Sequence, residues 1–420
     1  MRRLDLRRGL WGVCLLGLVG CGRGAGLTPT VALTPAQPTP APSATFTPWP
    51  TLVSPPTPTP LPAATPLPTP GPMNASVSAK PKGGESCQDY PCFDDVAGWE
   101  ARIQVPPGFS ARYFAHVPGQ PNSLTFGPDG LLYVATMLGA IYTVDPAGQV
   151  TTFYTGLNVP VGTAFQPGTT RLYVSDRAGP TEGEVSVIDT VTQSRRVILR
   201  GVPCCYAGMH AANGLAFGPD GYLYVAVGAR ADHGEVLNTD VQDVLHPWEA
   251  SILRVSPDGR QVENYARGLR NAYDIAWDAQ GRLFATNNGP DFGPPDTFYL
   301  VQPGGEHGYP WYECADCFGP PPPEVTLVPP AHEFIPHSAP VGVTVYLAEQ
   351  FPGYYNNIFA VMWSAFEGAQ KVVRLGPGGV DSADFATGFA APIDVTVGPD
   401  GSLYVADWAT GVIIQILYTG

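Results

Sequence analysis

His210, Arg270 and Asn271 are the residues of this chain best suited to chemistry on a small polar molecule. A neutral imidazole, with an ordinary pKa of about 6.5, takes a proton from a hydroxyl near neutral pH. A guanidinium stabilises negative charge as it develops, and a carboxamide both donates and accepts hydrogen bonds. Their spacing gives them a common address, because each stands just ahead of an apolar stretch that recurs along the chain. Aligned on the residue before that stretch, the copies start at Ser123, Gly162, Gly214, Asp274, Gly342 and Asp394. Four positions upstream stand Gly119, Asn158, His210, Arg270, Ser338 and Ala390, with Asn271 and His337 one step from such slots.

The elements that must position these residues are written in the same repeat. Leu124-Thr-Phe-Gly-Pro-Asp-Gly-Leu-Leu-Tyr-Val-Ala135 returns closely at Leu215–Ala226 and Val395–Ala406, and in looser form from Thr163, Ile275 and Val343. Each copy reads as an apolar strand, a turn and a second strand. Self-similarity at this spacing, with short strands between turn residues, predicts an all-β, six-bladed β-propeller. In such a fold the loops entering each first strand meet at one axial end, so pseudo-symmetry alone brings His210, Arg270 and Asn271 to one pocket. The loops after the second strands reach the same face: Asp176 and Arg177, then Ala229–Ala250 with Arg230, Asp232, His233, His246 and Trp248, then Asn288–Pro295. Long loops gathered on one face are where function concentrates. The last repeat ends with Val412–Leu417 and lacks a fourth strand, so Phe109–Val117 is expected to complete it from the N-terminal side.

The chain ahead of the repeats reads as targeting and tether. Arg2, Arg3, Arg7 and Arg8 precede the short apolar run Leu10–Val19, and Leu18-Val19-Gly20-Cys21 resembles a bacterial lipobox. That implies a signal peptide over residues 1–20, lipidation of Cys21 and a lipid-anchored, extracytoplasmic place in the cell envelope. An ordinary secretory signal is the alternative. Residues 21–86 form a linker, and Pro, Thr, Ala, Leu and Ser dominate 28–72. Such a stretch favours extended polyproline conformations, which at ~3.1 Å per residue reach up to ~140 Å. Residues 87–420 are expected to make one propeller, acting as a monomer. The formal net charge of −14 argues against nucleic acid as a partner. Beyond Cys14 and Cys21, the cysteines fall in close pairs: Cys87/Cys92, Cys204/Cys205 and Cys314/Cys317. Export favours disulfides within the first and last pairs. The adjacent pair reads equally as a vicinal disulfide or as thiols that are free or bonded elsewhere.

Several longer stretches carry a family resemblance. Gly268-Leu-Arg-Asn-Ala-Tyr-Asp-Ile-Ala-Trp277, Asn288-Gly-Pro-Asp291 and Gly304-Gly-Glu-His-Gly-Tyr-Pro-Trp311 resemble the glucose/sorbosone dehydrogenase family, as do His210–Phe217, Pro340–Tyr346 and Pro392–Gly401. The resemblance covers residues ~100 to 418, nearly all of the globular part. It implies a dehydrogenase of aldoses or related polyols that uses pyrroloquinoline quinone (PQQ) and calcium and passes electrons to an extracytoplasmic acceptor. By the same resemblance His210 is the general base while hydride passes to the quinone, and Arg270 and Asn271 contact the cofactor. The backbone carbonyls of Gly289 and Pro290 would hold calcium.

The chain also departs from that family. Relatives meet the three carboxylates of the quinone with Lys or Arg from the last two blades. Here the fifth-blade loop Trp363–Gln370 has no cation before Lys371, and Ala391 stands where relatives commonly carry Arg. Arg177, Arg230 and Lys371 are the candidates to replace those cations, and Lys371 is assigned to the cofactor. Ala229 replaces an Asp that orients the base in relatives, with Asp232 nearby. These departures keep a second reading open, a ligand- or protein-binding propeller that has lost the cofactor. A third, a calcium-dependent lactonase-type propeller, needs more carboxylates than the axial slots hold.

Overall fold

The computed structural model describes residues 87, 89–205, 210–233, 245–291, 293–312 and 319–420. The expected signal peptide, Cys21 and the Pro/Thr-rich linker lie outside the described residues, as do Cys314 and Cys317. A short helix, α1 (Val96–Arg102), precedes β1 (Phe109–His116). The first blade is β2 (Pro121–Phe126), β3 (Leu132–Thr136), β4 (Ala140–Val144) and β5 (Val150–Thr155). The second is β6 (Thr163–Phe165), β7 (Arg171–Arg177), β8 (Glu182–Asp189) and β9 (Arg195–Pro203). The third is β10 (Ala212–Phe217), β11 (Leu223–Val227), β12 (Ser251–Val255) and β13 (Val262–Arg267). The fourth is β14 (Ala272–Trp277), β15 (Leu283–Asn287), β16 (Thr297–Leu300) and β17 (His332–Glu333). The fifth is β18 (Pro340–Val345), β19 (Ile358–Met362), β20 (Lys371–Gly376) and β21 (Val380–Thr387). The sixth is β22 (Pro392–Val397), β23 (Leu403–Asp407) and β24 (Val412–Tyr418), with β1 as its outer strand.

The six antiparallel sheets form a ring, the six-bladed propeller that the repeats predict. First strands of neighbouring blades touch around the axis. The N-terminal strand closes the ring: β1 pairs along β24 from Phe109–Tyr418 to His116–Val412.

The repeated words have a physical reason. In the turn between the first two strands, Asp129, Asp220 and Asp400 accept backbone N–H bonds from the residue two further on. The following Gly130, Gly221 and Gly401 sit at φ near +80° (79°, 79° and 77°), which L side chains avoid. The other oxygen of each Asp accepts the hydroxyl of the next-strand tyrosine, Tyr133, Tyr224 or Tyr404, at 2.8, 3.1 and 3.2 Å. That tyrosine then meets the first-strand aromatic of a neighbouring blade edge-on. Tyr133 meets Phe165, Tyr224 meets Trp277 and Tyr404 meets Phe126, with ring centres 4.8–5.1 Å apart; Tyr173 meets Phe217 likewise, although its hydroxyl donates to the Pro257 carbonyl and not to an Asp. The motif is therefore a turn, a tether and an inter-blade contact in one.

Outside the blades, Cys87 and Cys92 are disulfide-bonded with Cα atoms 5.0 Å apart. Cys204 is bonded to Cys205.

Candidate active site

Five of the six first strands carry a bulge near their start, for example between Ala212 and Leu215, Ala272 and Ile275, and Pro340 and Val343. An extra residue on one strand re-aims the side chains around it. Tyr273, Val341 and Ile393, which stand at equivalent bulge positions, line a cavity of about 630 Å³ at the axial end. His210, Arg270, Asn271, Asn288 and Gly289 line it on one side, with Arg177 and Asp296. Trp363, Phe366, Trp408 and Met137 line it too, giving it a largely aromatic, apolar wall.

His210 is 5% exposed, and its Nδ1 lies 3.1 Å from the Ala229 carbonyl oxygen. A carbonyl only accepts, so this contact assigns the proton to Nδ1 and makes Nε2 the basic nitrogen. Burial, helped by the Arg270 charge, holds its pKa well below the ordinary value, so the ring is neutral at pH 7. Gly228 makes room for the arrangement: a Cβ there would stand 2.6 Å from Asn271 Oδ1 and 2.8 Å from His210 Cβ.

Arg270 is fixed on several sides. Its Nη2 bonds Asp232 Oδ1, its Nε donates to the Asp232 carbonyl at 3.1 Å, and its Nη1 donates to the Asn288 carbonyl at 3.2 Å. Asp232 also takes His233 Nδ1 at 3.0 Å and the Asp291 N–H at 3.1 Å. So Asp232 holds the guanidinium, and the Ala229 carbonyl stands against His210. Asn271 sits in a chain of carboxamides. Its Oδ1 accepts from Asn213 at 2.8 Å, its Nδ2 donates to Asn288 at 3.1 Å, and Asn288 donates to the Pro340 carbonyl at 2.7 Å.

The Gly304–Trp311 stretch is a clamp for this loop. His307 N–H donates to the Arg267 carbonyl at 2.9 Å and Tyr309 N–H to the Gly268 carbonyl at 2.8 Å. A Cβ on Gly268 would come within 2.5 Å of His307 N, and its φ of +79° also requires glycine. Asp296 does similar work on the far side. Its carboxylate accepts the N–H groups of Gly289 at 2.7 Å and Ala339 at 2.8 Å, tying two rim loops together. Sequence reading missed Asp296 and Asn213. The signal available for Asp296 was an acid directly ahead of a third strand, at the end of a Gly/Pro-rich loop.

Two of the expected site residues are not among those that line the cavity. Lys371 does not reach the cavity: it opens β20, and its Nζ pairs with Asp384 Oδ1 at 2.6 Å. The reason is its place in the sheet, whose order β18-β19-β20-β21 sets β20 two strands out from the axial strand. Strands lie about 4.8 Å apart, so its Cα starts roughly 10 Å too far out. Pro290 is not part of the cavity wall; its carbonyl accepts the Gly293 N–H at 3.2 Å and so closes its own turn. Of the other candidate cations, Arg230 pairs with Glu249 at 2.9 Å, whereas Arg177 does line the cavity.

Three donors on the cavity wall have no hydrogen-bond partner among the described residues: Arg177 Nε, the Tyr273 hydroxyl and Trp363 Nε1. A buried donor without an acceptor costs roughly 1–3 kcal/mol. The site therefore joins a neutral base and a fixed guanidinium inside an aromatic wall, an arrangement suited to removing a proton from a polar molecule and bearing the charge that results.

Known proteins match this architecture. An uncharacterised protein of Synechocystis is 24% identical over 237 residues, half of this chain, and the chain spans about half (56%) of that relative's length. The PQQ-bound aldose sugar dehydrogenase of Streptomyces coelicolor superposes with a TM-score of 0.58 at 22% identity, over 74% of this chain and 99% of that one. The calcium structure of a Trichoderma reesei carbohydrate-active enzyme of family AA12 gives 0.59 at 14% identity, over 76% and 97%. At these identities the likeness is one of fold. Residues 119–415 match the family described as Glucose / Sorbosone dehydrogenase, and the chain belongs to that family.

Proposed function

We propose that this chain is a dehydrogenase of sugars or related polyols that uses PQQ. The carrying observation is the cavity, where a buried neutral imidazole, a fixed guanidinium and a carboxamide chain face one aromatic-walled space. Family membership supports the reading, and so do relatives of like fold solved with PQQ or as a calcium structure.

The residues present fit the quinone. It is flat and carries three carboxylates, and the cavity is lined by the aromatic rings of Trp363, Trp408 and Phe366. Arg177, Arg270 and Asn271 supply the polar wall. The fit to calcium is thinner. Gly289 and Asp291 line the cavity, but no three His, Cys, Asp or Glu side chains gather to hold a metal among the described residues. Calcium takes about six to eight oxygens, so quinone and water would have to supply most of them.

When bound, PQQ supplies a two-electron acceptor. His210 accepts the substrate hydroxyl proton at Nε2, since Nδ1 is committed to Ala229. Arg270, kept in one plane by Asp232, stabilises the oxygen that becomes negative. The aromatic wall limits water around both.

The test is a titration of the purified full chain with PQQ at millimolar calcium, followed by tryptophan fluorescence and then by dye reduction with aldoses. Saturable quinone binding and sugar-dependent turnover are expected. His210→Ala should lower turnover by about 10²–10⁴ while quinone binding persists. Wild-type chain that binds no quinone would instead favour the binding-propeller reading, which has its own motive in the absence of Lys or Arg from blades five and six on the cavity wall.

The arginine-led apolar run and Cys21 support an extracytoplasmic, lipid-anchored location. Cys21→Ser should move the protein from the membrane pellet to the soluble extracytoplasmic fraction. Retention in the pellet would count against the anchor.

A further inference from the structure

Arg177 closes β7, and its backbone is pinned where it stands: its N–H donates to the Asn158 carbonyl at 2.8 Å, and the residue pairs with Gly183. Its side chain lines the axial cavity, and its Nε is shielded from solvent with no acceptor among the described residues. Several other partly buried cations in the blades have a carboxylate of their own, although Arg374 meets only the Asn357 carboxamide at 3.4 Å. Arg195 meets Asp176 at 2.9 Å, Arg230 meets Glu249 at 2.9 Å, Arg282 meets Asp278 at 2.6 Å, and Lys371 meets Asp384 at 2.6 Å. Arg270 has Asp232. No such carboxylate pairs with Arg177 among the described residues. Burial pulls its pKa down, as expected for a cation whose surroundings offer no counter-charge.

Tyr273 and Trp363, which also line the cavity, carry donors shut away from solvent without acceptors. The terminal nitrogens of Arg177 are not shut away in that manner, and they are what a ligand in the cavity can meet. A guanidinium fork matches the two oxygens of a carboxylate better than it matches a single hydroxyl. We propose that Arg177 is the anion-binding residue of this cavity, gripping a ligand carboxylate from the second blade where the fifth and sixth blades offer no cation. The proposal rests on the functional reading above, and the carboxylate has two sources under it: the quinone, or an acidic sugar such as a uronate.

The experiment separates them. The full chain, as wild type, Arg177→Gln and Arg177→Lys, is titrated with PQQ at millimolar calcium and separately with glucuronate and glucose, reading tryptophan fluorescence and checking that melting temperatures agree. A rise of at least tenfold in the PQQ Kd for Arg177→Gln, partly restored by Arg177→Lys, supports the quinone carboxylate. An unchanged PQQ Kd with glucuronate binding weakened tenfold, and glucose unaffected, supports the sugar carboxylate. Unchanged binding of both in Arg177→Gln overturns the proposal and leaves the functional reading intact. Wild-type chain that binds neither PQQ nor glucuronate removes both readings together.

Discussion

A backbone atom, the Ala229 carbonyl oxygen, stands 3.1 Å from Nδ1 of His210. That partner has an electrostatic consequence. A carboxylate would raise the imidazole pKa, whereas a neutral carbonyl leaves burial and the Arg270 charge in control, and both act to lower it. The base should therefore stay neutral, and active, as pH falls through 6.5. We expect kcat/KM to hold level from pH 8 to 6.5, with its acid limb lying lower. A limb centred at 6.5 or above would mean that His210 is not the base or is not buried in the working enzyme. Stability has a matching sign: below about 6.5 the unfolded chain takes up a proton that the folded chain resists, so His210 contributes instability as pH falls. Asp232 serves Arg270 and His233 instead of His210.

At the scale of elements, the closing strand carries the most exposed dependence. Phe109 of β1 meets the rings of Phe351, Tyr354, Phe385 and Tyr418 edge-on at 4.8, 5.4, 5.1 and 5.3 Å. It thus joins the sixth blade to the fifth as well as ending the ring. Phe109→Ala should cost roughly 2–3 kcal/mol, somewhat under the about 3–5 of a fully buried phenylalanine because the ring is partly exposed. A urea melt checks it, and a variant that melts with the wild type would take β1 out of the closure argument. This strand was legible in the sequence because a three-stranded last repeat leaves an edge that something must cover. The meeting of His210, Arg270 and Asn271 was legible for a related reason, since equivalent slots in a ring must converge. Lys371 was not, because a run of residues after a second strand does not reveal where the third strand begins. The bulges in the first strands were hidden as well. They turn Tyr273, Val341 and Ile393 to the cavity, and nothing in an apolar alternation announces an extra residue. Pairings such as Asp232 with Arg270 depend on loop geometry and left no periodic trace.

For the whole molecule, what matters is how six sheets stay in one ring. Five of the six junctions carry a buried hydrogen bond, and the one between the fifth and sixth blades carries a partly buried bond. Asn122 donates to the Pro160 carbonyl at 2.8 Å, Ser175 to the Asn213 carbonyl at 2.6 Å, Asn213 to the Ala272 carbonyl at 2.9 Å, and Thr286 to the Val341 carbonyl at 2.6 Å. Gln370 donates to the Ala390 carbonyl. The sixth junction closes through a carboxylate, Asp394, which accepts the Leu124 N–H at 2.6 Å, and Asp274 reaches the Val343 N–H at 3.0 Å in the same manner. Glycine makes both acids fit, since a Cβ on Gly214 or Gly342 would stand 2.3 Å from Oδ1 of Asp274 or Asp394. Asp394 is buried and Asp274 half-buried, and the charge on Asp274 adds to the desolvation that pushes Asp394 up; desolvation lifts Asp274 to about 7. The unfolded chain ionises Asp274 at about 3.9. Between about 4 and 7 the folded state therefore holds more protons than the unfolded one, and stability falls as pH rises through that window. Asp274→Asn keeps an oxygen for Val343 and removes the charge. The variant should melt on the order of a few degrees above wild type at pH 8 and alongside it near pH 5. A difference that did not change with pH would show that Asp274 acts through shape alone, and that charge at the axis has no part in holding the ring.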